Sequence, residues 1–295
     1  MFGQLLTAMV TPFDDEGRLD LQKLPLLVDH LLQTGTTALI VCGTTGESPT
    51  LEHDEKLELF SETVRLCRGK VPVIAGTGSN STKESQRLTQ EVEALGVDGF
   101  LLVAPYYNRP SQEGLYQHFS AVAHATDKPV ILYNIPARTG VNLQVDTVVR
   151  SAEHANIIGV KESTGDFTQI ANLIANTPQD FLVYSGDDKF TLPILALGGA
   201  GVVSVASHVV GSQMAEMIQA VKQGDLSRAQ TLHYKLLPLF EELFRTSNPV
   251  LVKAALSMID VPVGKVRPPL VDATVEEKRS LRRVLEKVID LEIVH

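Results

Sequence analysis

One lysine stands at a position where its amine could act as a nucleophile. Lys161 ends the apolar run Asn156–Val160, so its side chain is expected to point partly into a closed interior. A lysine with a pKa of about 10.4 is a poor nucleophile at neutral pH, but burial disfavours its charged form and frees the amine to attack a carbonyl. The sequence predicts a Schiff-base lysine, with a surface lysine paired with Glu162 or a neighbouring carboxylate as the alternative.

Phenols and a hydroxyl near that lysine could carry the protons that imine chemistry moves. Tyr133 ends the apolar run before that of Lys161, and Tyr106 and Tyr107 follow the run before that. Thr44 could link two phenols, since a hydroxyl both donates and accepts. Packing at the barrel rim explains any one tyrosine taken alone better than a proton relay does, but the set together favours a cofactor-free enzyme that acts on small keto acids.

Two further features suit a substrate that carries carboxylates. The Arg138 guanidinium could bind a carboxylate through paired hydrogen bonds, or it could form a surface ion pair. The segment Gly43–Glu47, Gly-Thr-Thr-Gly-Glu, offers hydroxyls and closely approaching backbone N–H groups that could hold a second carboxylate. The alternative for this segment is a simple tight turn.

The elements that must position these residues alternate between strands and helices. Short runs rich in Val, Ile and Leu are each followed by a stretch with helical spacing, and most runs are apolar throughout, as strands buried on both faces should be. The runs start near Leu5, Leu39, Val71, Gly99, Pro129, Ile157, Phe181 and Gly201. This pattern predicts an α/β fold, a closed (β/α)8 TIM barrel, whose reacting groups lie at the carboxyl ends of the strands. An open doubly wound sheet is the alternative, weakened because no Gly-x-Gly-x-x-Gly follows the first strand.

Start and stop signals divide the intervening chain into helices. Ser81–Glu84 fits a capping box before a helix that runs to Leu95. Other helices are predicted from Asp20 to near Gly35, from Glu52 to Arg68, from Asp225 to Arg245, from Asn248 to Met258, and from a capping box at Thr274 and Glu277 to the C-terminus. Because only helices follow Gly224, we expect a barrel of residues 1–224 and a helical extension of residues 225–295 packed on it.

Composition and charge exclude several classes of protein. The 295 residues include 26 Lys and Arg against 35 Asp and Glu, and the resulting net charge of −9 argues against nucleic acid and anionic membranes as partners. The histidines and the two cysteines, Cys42 and Cys67, form no metal-binding motif, so neither a metal nor a cofactor is expected. No apolar run approaches the roughly 18 residues of a membrane span, and the N-terminus lacks the pattern of a signal peptide, which predicts a cytoplasmic protein.

Four motifs closely resemble the dihydrodipicolinate synthase family, and the resemblance covers essentially the whole chain. They are Gly43–Glu47, Ala104–Asn108, Tyr133–Pro136 and Gly159–Glu162. The last two are shared across the pyruvate-dependent class I aldolase superfamily, which includes N-acetylneuraminate lyase. The resemblance implies condensation of pyruvate with L-aspartate 4-semialdehyde to 4-hydroxy-tetrahydrodipicolinate, in diaminopimelate and lysine biosynthesis, by a homotetramer built as a dimer of dimers.

The resemblance also implies a role for each residue that matches a family motif. Lys161 would form the imine with pyruvate, and the proton relay would comprise Thr44, Tyr133 and Tyr107, the last from a neighbouring subunit. The substrate-binding residues would be Thr45 for the pyruvate carboxylate, Arg138 for the semialdehyde carboxylate, and the main chain near Gly186 and Val203.

A second, regulatory site is implied for family members that L-lysine inhibits. The matching residues here are Ser48, His53, Asn80, Glu84 and Tyr106. Lys56 stands where lysine-sensitive relatives often have histidine, and a fixed cation should repel the ammonium group of the ligand. We therefore expect weak or absent inhibition by lysine, although His53 and Lys56 also fit a solvated helix face.

Two other functions remain open at this point. A lyase such as N-acetylneuraminate lyase would keep Lys161 and change the second substrate, but a long sugar acid suits neutral groups better than the Arg138 cation. A non-catalytic keto-acid sensor is also compatible, because a fold alone does not establish an activity.

Overall fold

The apolar runs form eight parallel strands that close into one barrel in chain order, with the last strand paired to the first. The computed structural model describes residues 2–289. The strands are β1 (Leu5–Ala8), β2 (Ala38–Val41), β3 (Val73–Gly76), β4 (Gly99–Val103), β5 (Val130–Asn134), β6 (Ile157–Glu162), β7 (Leu182–Ser185) and β8 (Gly201–Ser204). The predicted TIM barrel is confirmed, and the open sheet is wrong.

Helices lie between the strands and follow the last of them. Within the described residues they are α1 (Leu24–Gln33), α2 (His53–Cys67), α3 (Thr82–Glu93), α4 (Gln112–Ala123), α5 (Pro136–Thr139), α6 (Val145–Ser151), α7 (Phe167–Asn176), α8 (Thr191–Ala196), α9 (Ser207–Lys222), α10 (Leu226–Glu242), α11 (Val250–Met258) and α12 (Val275–Val288). Two 3₁₀ turns cover Ser48–Thr50 and Asp188–Phe190. None of these helices is long and apolar enough to cross a membrane.

Capping residues set where several helices begin. Thr274 and Glu277 form the predicted capping box of α12. At α3, Ser81 accepts a hydrogen bond from the Glu84 backbone N–H at 3.4 Å, but the Glu84 carboxylate binds Arg87 instead of returning to the cap. The capping box predicted for Ser81–Glu84 is therefore only half formed, because a charged partner one turn along the helix takes the carboxylate.

The alternation of side chains along each strand divides the core into two layers. Leu6, Ile74, Tyr133 and Val203 belong to one buried cluster inside the barrel. A second, larger cluster joins the outer faces of the strands to the surrounding helices. Tyr133 of β5 pairs in register with Lys161 of β6, so both residues face the same side of the sheet.

The helices α10 to α12 pack on the barrel through the same outer cluster. That cluster contains Leu236 of α10, Leu256 of α11 and Leu285 of α12 together with residues of the barrel strands. Asn248, just before α11, donates a hydrogen bond from Nδ2 to Oγ1 of Thr45 at 2.9 Å, so this part of the chain reaches the barrel mouth. The division into two units at residue 224 stays a prediction.

A fully buried histidine joins α9 to the barrel. The Val10 backbone N–H donates to Nε2 of His208 at 3.2 Å, and Nδ1 lies 2.8 Å from the carbonyl oxygen of Val205. A backbone N–H can only donate and a carbonyl can only accept, so the ring is neutral with its hydrogen on Nδ1. Burial lowers the pKa of His208 to about 4.

We predict that the free energy of unfolding decreases as the pH falls from about 6.5 towards 4, because unfolded His208 binds a proton that the folded ring does not. One proton gives a slope of about 1.4 kcal/mol per pH unit. Urea unfolding across this range should show a shallower slope for His208→Gln than for wild type. Equal slopes for wild type and His208→Gln would contradict the prediction.

Candidate active site

Lys161 lies on the inner face of the barrel, and only 5% of the residue is exposed. Its Nζ is 4.2 Å from the centroid of the Tyr133 ring. Among residues 2–289 no carboxylate forms an ion pair with this amine. The alternative pairing with Glu162 is wrong, because adjacent residues of a strand point to opposite faces.

Glu162 instead belongs to a polar network outside the barrel. Its Oε2 accepts hydrogen bonds from the amides of Asn134, at 3.0 Å, and Gln169, at 3.2 Å. Burial raises the pKa of this carboxyl group above its usual value, and the hydrogen bonds offset only part of that increase. The carboxylate nearest to Lys161 along the chain therefore has its hydrogen-bond partners elsewhere, and within residues 2–289 the lysine amine has no counter-ion.

A cavity of about 290 Å³ opens at the carboxyl ends of β2 to β5. Its lining includes Thr44, Tyr133 and Arg138, three of the residues that the sequence marks for chemistry. Lys161 does not itself line the cavity, but Tyr133, which does, has its ring centroid 4.2 Å from the Lys161 amine. The volume suits a small molecule, in keeping with the size of ordinary ligand pockets.

Arg138 offers a cation to this cavity. It lies on the short helix α5, it is exposed, and no side-chain hydrogen bond or ion pair holds it within the described part of the chain. A guanidinium in this state can bind a carboxylate through two parallel hydrogen bonds. The structure thus rules out an ion pair within the described chain as the role of Arg138.

The Gly43–Glu47 segment is a tight turn whose first two residues, Gly43 and Thr44, line the cavity. Backbone hydrogen bonds of 3.1 Å run from Gly46 to Gly43 and from Glu47 to Thr44. Thr44 lies at the cavity, whereas Thr45 is buried and its hydroxyl accepts the hydrogen bond from Asn248. The Thr45 hydroxyl still carries its own hydrogen and can donate it.

Gly186, directly after β7, lies beside Lys161, whereas Val203 of β8 belongs to the inner core of the barrel. A Cβ atom added to Gly186 would overlap Oγ of Ser163 and lie 3.0 Å from Cε of Lys161. Val203 is buried in the inner cluster that contains Tyr133. A side chain at position 186 would therefore have to displace the Ser163 hydroxyl and push the Lys161 side chain aside.

Tyr107 is the one residue of the predicted relay that points away from this site. It is 89% exposed, it does not line the cavity, and its φ of 73° is in the left-handed region. Such a conformation costs a tyrosine about 1–3 kcal/mol and persists only where the surrounding structure holds it. Within a single chain, Tyr107 is not brought to Lys161.

The residues of the implied regulatory site fall into two groups. Ser48, Lys56, Glu84 and Tyr106 line the same cavity as Thr44 and Arg138. His53 and Asn80 do not: Nε2 of His53 is 2.9 Å from Glu91, and the carbonyl oxygen of Asn80 accepts a hydrogen bond from Asn108. Hydrogen bonding to Arg87 lowers the pKa of Glu84.

Sequence reasoning missed a buried charge cluster behind the Gly43–Glu47 turn. Glu47 forms an ion pair with Lys253 of α11, and the backbone N–H of Arg267 donates to the other carboxylate oxygen. The available signal was a lysine inside the apolar run Val250–Met258, on a helix that buries most of its residues. No group of three or more His, Cys, Asp or Glu residues that could hold a metal occurs within residues 2–289.

A (β/α)8 barrel with a buried, inward-facing lysine and a free arginine at its mouth defines an enzyme of the class I aldolase type. The model of the dihydrodipicolinate synthetase family matches residues 1–288, and the chain belongs to this family. The resemblance found in the sequence is confirmed.

Relatives agree with this assignment along nearly their whole length. The chain is 55% identical to "4-hydroxy-tetrahydrodipicolinate synthase 1" of Halalkalibacterium halodurans over 95% of both chains. It is 52% identical to the Bacillus subtilis 4-hydroxy-tetrahydrodipicolinate synthase, covering 97% of this chain and 99% of the relative. Among solved structures, a Bacillus anthracis dihydrodipicolinate synthase superposes with a TM-score of 0.95 at 50% identity, covering 97% and 98% of the two chains. A lysine-bound enzyme from Cyanidioschyzon merolae gives a TM-score of 0.96 at 45% identity, covering 98% and 99%.

We predict that Gly186→Ala slows covalent labelling of Lys161 by an α-keto acid and borohydride by up to about 100-fold, because the new methyl group displaces the lysine. Labelling is measured by mass spectrometry on folded protein. In Gly224→Ala the methyl group meets no atom within 4 Å, so this control should lose a little stability and label at the wild-type rate. An unchanged rate for Gly186→Ala would show that the close contact does not position the amine.

Proposed function

We propose that this chain condenses pyruvate with L-aspartate 4-semialdehyde through a Schiff base on Lys161 and releases 4-hydroxy-tetrahydrodipicolinate, a step of diaminopimelate and lysine biosynthesis. The observation that carries the proposal is the buried amine of Lys161, which has no carboxylate partner within the described chain and contacts Tyr133. The activity agrees with the names of the curated relatives.

The first step is attack of the Lys161 amine on the ketone carbon of pyruvate. A C–N bond forms, water leaves, and the protonated imine that results withdraws electrons from the neighbouring methyl group. The turn that carries Thr44 and Thr45 would hold the pyruvate carboxylate through hydroxyl and backbone N–H groups.

The second step forms the new carbon–carbon bond. A proton leaves the methyl group, the imine becomes an enamine, and the former methyl carbon attacks the aldehyde carbon of the semialdehyde. The aldehyde oxygen takes up a proton and becomes the hydroxyl group, and the enamine returns to the protonated imine. The relay of Tyr133, Thr44 and Tyr107 would move the protons, since each hydroxyl can both donate and accept. Arg138 would bind the carboxylate of the semialdehyde at the cavity.

The third step closes the ring and frees the enzyme. The amino group of the semialdehyde attacks the imine carbon, a new C–N bond replaces the bond to Lys161, and the lysine leaves as an amine. Because the imine itself accepts the electron pair, none of these steps requires a metal or a nicotinamide.

The relay requires a second copy of the chain. Tyr107 is 89% exposed on its own subunit and does not line the cavity, which supports a role across an interface. We propose a homotetramer built as a dimer of dimers and located in the cytoplasm, with each dimer completing the active sites of both subunits.

We predict that Lys161→Ala remains folded and loses activity by about 10³-fold or more, because no other group can form the imine. Mass spectrometry should find a pyruvate-dependent cyclic product with wild type and none with the variant, while circular dichroism stays unchanged. Cleavage of sialic acid is the parallel assay. A wild type active only on sialic acid would move the function to a lyase, inactivity in both assays would favour the sensor, and wild-type turnover by Lys161→Ala would exclude the mechanism.

The regulatory set of Ser48, His53, Lys56, Asn80, Glu84 and Tyr106 remains a proposal. Lys56 lines the cavity together with Glu84, so its ammonium group would lie close to that of a bound L-lysine. Like charges in such a site repel each other, which supports weak or absent inhibition.

We predict that L-lysine does not inhibit this enzyme at submillimolar concentration, and that Lys56→His increases its sensitivity by about fivefold or more. Initial rates at increasing L-lysine test this, with Lys83→His at an exposed position of α3 as the matched control. Half-maximal inhibition of wild type below the millimolar range, or no difference between the two variants, would show that Lys56 does not determine the response.

A further inference from the structure

A buried ion pair anchors the end of the Gly43–Glu47 turn. Oε1 of Glu47 lies 2.6 Å from Nζ of Lys253, and the two side chains are 2% and 3% exposed, respectively. Oε2 of Glu47 accepts a hydrogen bond of 2.8 Å from the backbone N–H of Arg267. Both carboxylate oxygens are thus held by the chain that follows α10, although Glu47 itself belongs to the barrel.

The cation of this pair has further partners that fix its position. Nζ of Lys253 donates to the carbonyl oxygen of Lys265 at 2.8 Å and lies 4.2 Å from the centroid of the Phe13 ring. The Arg267 guanidinium lies 4.2 Å from the same ring and pairs with Glu55 of α2. A buried ion pair adds little stability over apolar residues of similar size, but loss of one partner leaves an uncompensated charge.

The backbone at Glu47 needs such an anchor. Its φ of 54° lies in the left-handed region, which residues other than glycine adopt rarely and keep only when the surroundings enforce it. The neighbouring residues are held as well: Oγ1 of Thr11 donates to the carbonyl oxygen of Gly46 at 2.7 Å, and Asn248 binds Thr45. The turn therefore has contacts on both sides, and its strained end depends on the ion pair.

We propose that Lys253 is a positioning residue for pyruvate, acting through Glu47 on the turn that carries Thr44 and Thr45. Neither Lys253 nor Glu47 lines the cavity, so neither touches substrate directly. This inference rests on the proposed function, in which that turn binds the pyruvate carboxylate. The C-terminal helices then determine the affinity for the first substrate in addition to covering the barrel.

The test is steady-state kinetics of Lys253→Met, which keeps the length of the side chain and removes its charge. We expect KM for pyruvate to rise by about 10- to 100-fold, because a small displacement of the turn misplaces the carboxylate, while KM for the semialdehyde stays within about twofold. Glu47→Gln should give the same selective rise. Glu47→Gln combined with Lys253→Met leaves no unpaired charge and should lie closer to wild type than Lys253→Met alone.

Arg228→Met is the matched control, because it breaks an exposed ion pair between Arg228 of α10 and Glu216 of α9, neither of which lines the cavity. It should leave both KM values unchanged.

Borohydride trapping of pyruvate on the wild-type enzyme tests the proposed function separately. If pyruvate is not trapped, the proposed function is wrong, whatever the kinetics of the variants. If wild type traps pyruvate and turns over, a folded Lys253→Met with wild-type KM for pyruvate overturns the positioning role. Should Lys253→Met not fold, Glu47→Gln decides in the same way.

Discussion

The site depends on the alternation of side chains along β6 in a closed barrel. Lys161 faces the interior and Glu162 faces the helices, so two adjacent residues of opposite charge are separated by the sheet itself. A shift of one residue in register would exchange their positions and place a carboxylate where the amine now lies. Pairing of β6 with both β5 and β7 fixes that register, and the register places the Lys161 amine inside the barrel.

The same fold gives its buried ionisable groups different chemistry through their surroundings. Lys161 lies beside an aromatic ring without a carboxylate in the described chain, which suits a nucleophile. Lys253 is equally buried but paired with Glu47, and burial lowers its pKa to about 8 while Glu47 opposes that change. Two lysines in one interior thus have different surroundings, because within residues 2–289 one has a carboxylate partner and the other does not.

The C-terminal helices pack on the barrel and also contact the turn after β2, which lines the candidate site. Asn248 and Lys253 both contact the turn after β2, and Arg267 holds that turn and α2 together. Relatives of this family match the chain along nearly its full length, so the extension is part of the shared fold. A barrel that ended after α9 would lack the partners of Thr45 and Glu47.

The sequence by itself determined the strands, most helices, and the placement of Lys161, Thr44, Tyr133 and Arg138 at strand ends. Those features depend on hydrophobic periodicity and on local turn and cap residues, which are contiguous in the chain. Only the tertiary structure decided that Glu47 meets Lys253, that Arg267 meets Glu55, and that Asn248 meets Thr45. Closing the barrel and packing the helices on it bring distant residues together, and no local pattern encodes which charges then become neighbours.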